Sequence, residues 1–189
     1  MVTIAPKIIT LESFLTLPET EPASEYSQGT ITQKPMPKAK HSRIQSYLVQ
    51  TINQTVETPK IALAFTELRC TFVGRSLVPD ITVMRWENLP RDETGEISDQ
   101  FNRCPDWIIE ILSPEQSTTL VMEKIIFSLQ QGTELGWLID PFAKSVTVFQ
   151  TGLPKIYFVQ ADKPEILTVL SGLENLQLSV NDIFACLKV

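Results

Sequence analysis

At 189 residues, 43% of them hydrophobic and 20% charged, the chain is long and apolar enough to bury a core as one domain, which excludes a disordered or fibrous protein. A net charge of −6 and a pI near 4.9 repel polyanions, so a protein that coats nucleic acid nonspecifically is excluded while a local basic cleft is not. Cys70, Cys104 and Cys186 are odd in number and far apart, and His41 is the single histidine, which argues against both a disulfide framework and a zinc site.

The stretch 1–7 lacks an apolar signal core, and no run approaches ~18 apolar residues, so the expectation is a reduced, cytoplasmic protein with no membrane partner. Thr10 caps a short helix over 10–15 that Pro18 stops, and a polar connector follows over 19–25. Residues 25–33 read as a hairpin turning near Gly29, ended by Pro35 and Pro37. Ile44, Tyr47, Leu48, Ile52 and Val56 recur at helical spacing and predict a long helix over 39–57. The runs 61–73, 79–85 and 106–112 are short and rich in Ile, Val, Phe and Trp, hence strands, with a polar, mostly acidic loop over 87–103 between the last two. A helix is expected from Pro114 to Gln131, stopped by Gly132. Strands at 135–140, 145–150, 156–160 and 166–170 and a closing helix over 180–187 complete the chain. Helices between strands favour an α/β domain with a mixed central sheet flanked by helices. Residues 1–24 form an N-terminal helix and connector, and 25–189 the single domain.

Two acids carry the chemistry. Asp80 follows Pro79 at the start of an apolar strand, and Glu110 sits within Trp107-Ile108-Ile109-Glu110-Ile111-Leu112. Strand alternation puts Glu110 on one face with Ile108 and Leu112, where a charge needs a partner. Two readings stand for Glu110: a carboxylate paired with a basic side chain or capping a loop, and a ligand of a hard divalent ion that relieves its repulsion with Asp80. Asp80 alone also reads as a turn residue. Lys124 bears on both, because on the helical wheel it lies at the margin of the apolar arc of Val121, Met122, Ile125, Ile126 and Leu129. From there its ammonium either snorkels outward or turns to the carboxylates, and in the second case the substrate is anionic. Lys34, Lys38, Lys40 and Arg43 put four positive charges into a ten-residue stretch of an acidic chain, beside a helix start. This is either a rim that grips a nucleic-acid backbone or a solvated helix start, and His41 either donates to a phosphate or packs there.

Pro79-Asp80, then Ile109-Glu110-Ile111-Leu112-Ser113-Pro114, then Lys124, Gly132 and Gly136-Trp137-Leu138-Ile139-Asp140-Pro141 resemble the Uma-type endonucleases of the PD-(D/E)XK nuclease superfamily. Glu25 before a glycine hairpin and His41 at a helix start also match. The resemblance runs from about Glu25 to the C-terminus. It implies a restriction-endonuclease-like core with an extra N-terminal hairpin and C-terminal strands, and hydrolysis of DNA phosphodiesters with Mg²⁺ or Mn²⁺. Asp80, Glu110 and the carbonyl of Ile111 would be the ligands, Lys124 the catalytic cation, and Glu25 a further catalytic acid with Gln33 bonded to it. The superfamily's strand lysine is Leu112 here, so its role passes to Lys124; the family's aromatic residue four positions later is Ser128. The resemblance also implies a homodimer. The alternative is a nuclease-like module that no longer cuts and only binds DNA or protein.

Overall fold

The computed structural model describes residues 9–114, 116–162 and 164–188. Its order is α1 (Leu11–Leu15), β1 (Ser24–Ser27), β2 (Thr30–Gln33), α2 (Ala39–Val56), β3 (Ala62–Thr66), β4 (Cys70–Phe72), β5 (Arg75–Leu77), β6 (Ile81–Arg85), β7 (Trp107–Ile111), α3 (Thr118–Gln130), β8 (Leu135–Asp140), β9 (Ser145–Phe149), β10 (Lys155–Phe158) and α4 (Val180–Ala185). A six-stranded mixed sheet runs β10-β9-β8-β7-β6-β3, and a four-stranded antiparallel sheet runs β2-β1-β5-β4. In the large sheet β7 and β8 pair in parallel, with α3 as their crossover, and the other neighbours are antiparallel.

Alternation sorts the core into layers. Trp107, Ile109 and Ile111 of β7 join Ile81 and Val83 of β6 and Trp137 and Ile139 of β8 against Ile44, Leu48, Ile52 and Val56 of α2. Those four helix positions repeat every four residues, so one face of α2 is fully apolar, and each such side chain contributes about 1.5–3 kcal/mol by leaving water. On the opposite face Ile108, Leu112 and Leu138 pack on Val121 and Ile125 of α3. A third cluster, with Cys70, Phe72, Leu77, Met84, Leu89 and Phe101, joins strands of the two sheets and the 87–103 loop.

Several expected boundaries shift. The run 61–73 is two strands in different sheets, because Glu67 takes a left-handed backbone (φ 50°) that breaks the ladder. The hairpin turn at Val73 (φ 45°) and Gly74 (φ 74°) then creates β5, which was not anticipated. Of the expected helix 114–131, residue 115 lies outside the described residues, and α3 begins only at Thr118. Gln116 closes a turn on Ser113, its backbone N–H on the Ser113 carbonyl and its side chain on the Ser113 N–H. In place of a strand over 166–170 there is a single bridge between Ile166 and Ser179.

The seat of α3 depends on Gly136 of β8. A Cβ there would run into Ile125, with Ile108 and Phe149 closing the other sides. Gly136→Ala is expected to cost about 1–3 kcal/mol by overpacking, read as a lower denaturant midpoint. An unchanged midpoint would mean that α3 is not held on the sheet at this point.

Candidate active site

The β6–β7 register pairs Ile81 with Ile109, and its continuation sets Asp80 opposite Glu110 at the end of the sheet. Glu110 shares the α3 face with Ile108 and Leu112, and α3 delivers Lys124 to it. The Lys124 ammonium lies 2.9 Å from Glu110 Oε1 and 2.7 Å from Glu25 Oε1. Glu25, on β1, also accepts from the Val78 N–H at 2.6 Å, which ties β1 to the link between β5 and β6.

Asp80 centres a second group. Its Oδ2 accepts from the Ile111 N–H at 2.7 Å, tying it directly to β7. Its Oδ1 accepts from the Lys34 ammonium at 2.7 Å, which also donates to Glu67 Oε2 at 2.9 Å and to the Val78 carbonyl at 2.9 Å. Gln45 on α2 donates to the Asp80 carbonyl and to Glu67 Oε1, and His41, one turn earlier, brings Nε2 to 3.5 Å from Asp80 Oδ1.

The charges do not balance. Asp80 and Glu110 are both 1% exposed, and with Glu110 ionised four carboxylates face two ammonium groups. The surplus is two negative charges, the charge of one divalent cation. Among the described residues neither buried oxygen of Glu110 has an aligned hydrogen-bond donor, since Lys124 is close to Oε1 but off its bonding direction. Burial therefore pushes the Glu110 carboxyl up to about 8, against the Lys124 ammonium and with the help of the Asp80 charge. Burial would also raise Asp80, but the His41 ring edge and the Lys34 ammonium hold it well below the usual carboxylate range. For Lys124 burial works toward neutrality, and the carboxylates of Glu110, Glu25 and Asp80 outweigh it, so the ammonium is kept. For Lys34, Asp80 and Glu110 outweigh burial in the same way. An orphaned carboxylate beside a second one, with oxygen donors only, fits a hard divalent ion such as Mg²⁺ or Mn²⁺.

Asp80, Glu110 and Lys124 are thus buried at one end of the sheet, with the half-buried Glu25 closing the group from β1. Lys34 does not stand on an exposed rim. Its side chain is buried because a free ammonium completes the cage of Asp80, Glu67 and Val78 oxygens. His41 is likewise buried at the network rather than turned to solvent. Lys38, Lys40 and Arg43 are all exposed near the start of α2, and Arg43 donates its Nε to the Cys186 carbonyl. Gln33 bonds to the Pro22 carbonyl and not to Glu25, because the β1–β2 register places Thr32 opposite Glu25. Glu67 and Gln45 were missed. Gln45 follows His41 by four residues on α2, a spacing that puts them on one face, while nothing in the sequence marks Glu67.

A family model described as "Uma2: Putative restriction endonuclease" matches residues 11–181. A solved structure described as a "putative nuclease belonging to DUF820" from Anabaena variabilis ATCC 29413 is 50% identical, with a TM-score of 0.91 over 95% of this chain and 99% of that one. No curated protein matches the chain.

Proposed function

The chain belongs to the Uma2 family, and from that premise we propose that it is a metal-dependent endonuclease that hydrolyses phosphodiester bonds in DNA. The observation that carries this reading is Glu110, a buried carboxylate with both oxygens unsatisfied, beside Asp80 and within 2.9 Å of a lysine. Asp80, Glu110 and the carbonyl of Ile111 would hold Mg²⁺ or Mn²⁺, which when bound polarises a phosphate and lowers the pKa of a water. Lys124 keeps its proton and sets a positive charge against the negative charge that grows on the phosphorus oxygens. Glu25 aims that ammonium, gripping it at 2.7 Å while the Val78 N–H fixes Glu25 itself. Asp80 is held by the Ile111 N–H, so a shift of either strand would misplace both acids together.

Around the site, Lys38 and Lys40 form the phosphate-gripping rim, with Arg43 behind them at the Cys186 carbonyl. Lys38→Ala and Lys40→Ala should each flatten the salt dependence of DNA binding by a slope of about one, with the chemical step unchanged. The edge strand β10, with exposed Ile156 and Phe158, is the surface we assign to a homodimer. Among the described residues no helix is long and apolar enough to cross a membrane. The test is Mn²⁺ calorimetry with nicking of single-stranded, double-stranded and branched DNA. A protein that neither binds the ion nor cuts any of the three is not this enzyme.

The raised Glu110 carboxyl adds a pH signature. Its folded value of about 8 exceeds the ordinary 4.5, so the metal-free fold carries this stabilisation fully below pH 4.5 and loses it as the pH climbs through about 8. Divalent-ion affinity should run the other way and rise across that window, because binding must expel the Glu110 proton. Melting in chelator and calorimetry in buffers of different ionisation enthalpy check the two slopes, and Glu110→Gln should flatten the first and remove the proton-coupled ion binding that gives the second.

A further inference from the structure

We propose that His41, Glu67 and Asp80 form a second cation site, which the Lys34 ammonium fills until a divalent transition-metal ion displaces it. The proposal deepens the endonuclease reading and rests on it for Asp80 as the shared ligand. One ligand atom from each of the three residues lies within 4.8 Å of the others, and bonds of about 2.0–2.2 Å would close that shell with small side-chain movements.

The independent observation is His41. It is 5% exposed, and among the described residues its Nε2 makes no aligned hydrogen bond, its nearest acid being Asp80 Oδ1 at 3.5 Å, a contact that lowers the Asp80 carboxyl without satisfying the ring nitrogen. A buried ring nitrogen left unsatisfied is costly, and ligation removes the cost. Its Nδ1 lies 3.4 Å from Ser113 Oγ, an outer partner of the kind that fixes the orientation of a ligating imidazole. Lys34 shows that the position accepts a cation, since its ammonium donates to three oxygens: Asp80 Oδ1, Glu67 Oε2 and the Val78 carbonyl. A cavity of about 380 Å³ opens onto this cluster, lined by Lys34, His41, Gln45, Glu67, Asp80 and Ser113, whereas Glu110 and Lys124 do not line it. The cavity gives an ion a route in and the flexible lysine stem a route out. An imidazole with two carboxylates suits Mn²⁺ or Fe²⁺ better than Mg²⁺, in contrast to the all-oxygen site at Glu110.

The test is Mn²⁺ and Mg²⁺ titration of the whole chain by calorimetry, with electron paramagnetic resonance of the bound Mn²⁺. Wild type should take up two Mn²⁺ and one Mg²⁺. His41→Gln or Glu67→Gln should lose one Mn²⁺, and Glu110→Gln should lose the other. Lys34→Met, by removing the competing ammonium, should tighten the second Mn²⁺ by about tenfold or more, a gain that misfolding cannot produce. A single Mn²⁺ that is indifferent to His41→Gln and sensitive to Glu110→Gln would overturn the second site and leave the endonuclease reading standing. No Mn²⁺ at all would overturn both. Two ions with no tightening in Lys34→Met would overturn the exchange with the lysine.

Discussion

Glu110→Gln is expected to leave the fold intact while removing divalent-ion binding opposite Asp80 and, with it, DNA cleavage by about a thousandfold or more. The amide has nearly the shape of the carboxylate, so Ile108 and Leu112 keep their packing against α3. What changes is charge. The wild-type carboxylate is buried beside the Lys124 ammonium, but among the described residues neither oxygen accepts an aligned hydrogen bond, an arrangement that a further cation would stabilise. Without a metal the substitution should be neutral or stabilising at neutral pH, because it removes a group that burial already drives toward protonation. Activity and stability therefore move in opposite directions, which separates a ligand from a structural ion pair. Denaturant unfolding in chelator, Mn²⁺ calorimetry and plasmid nicking measure the three quantities. Cleavage that persists in Glu110→Gln would remove Glu110 from the chemistry.

The same residue marks how much the sequence disclosed. Alternation in Trp107-Ile108-Ile109-Glu110-Ile111-Leu112 was enough to place Glu110 on the face of α3, since a buried strand has only two faces and the pattern assigns each side chain to one. The helical wheel likewise placed Lys124 at the inner margin of α3, and its side chain is buried there. The β4–β5 hairpin was illegible because Val73-Gly74 carries no strong turn signature, and its left-handed valine is a local cost that only the sheet around it explains. Lys34 was misplaced for a related reason. A lysine just ahead of two prolines looks solvated unless its partners are known, and Glu67 and Asp80 are its partners only because the chain folds back over the intervening helix. Local pattern thus reached the groups on regular elements and missed those whose role depends on a long-range ion pair.

Lys124→Met should cut turnover by about a hundred- to a thousandfold while ion binding survives, the loss expected when one stabilising donor is taken from a developing oxyanion. The stability effect is distinctive. Lys124 is the cation held between Glu110 and Glu25, at 2.9 and 2.7 Å, and removing one partner of a buried pair costs about 3–5 kcal/mol when the charge left behind stays ionised. Glu110 has a way out, since it takes up a proton readily, so the cost should be small in acid and grow as the pH climbs through about 8. A divalent ion supplies the missing positive charge. Saturating Mn²⁺ should therefore raise the melting temperature of Lys124→Met more than that of wild type, although the variant turns over far more slowly. A structural lysine would give the stability loss with turnover intact, and a lysine outside the network would give neither. Turnover within a few-fold of wild type, with an unchanged Mn²⁺ shift in melting, would take Lys124 out of the site and with it the assignment of the superfamily's strand lysine to this helix.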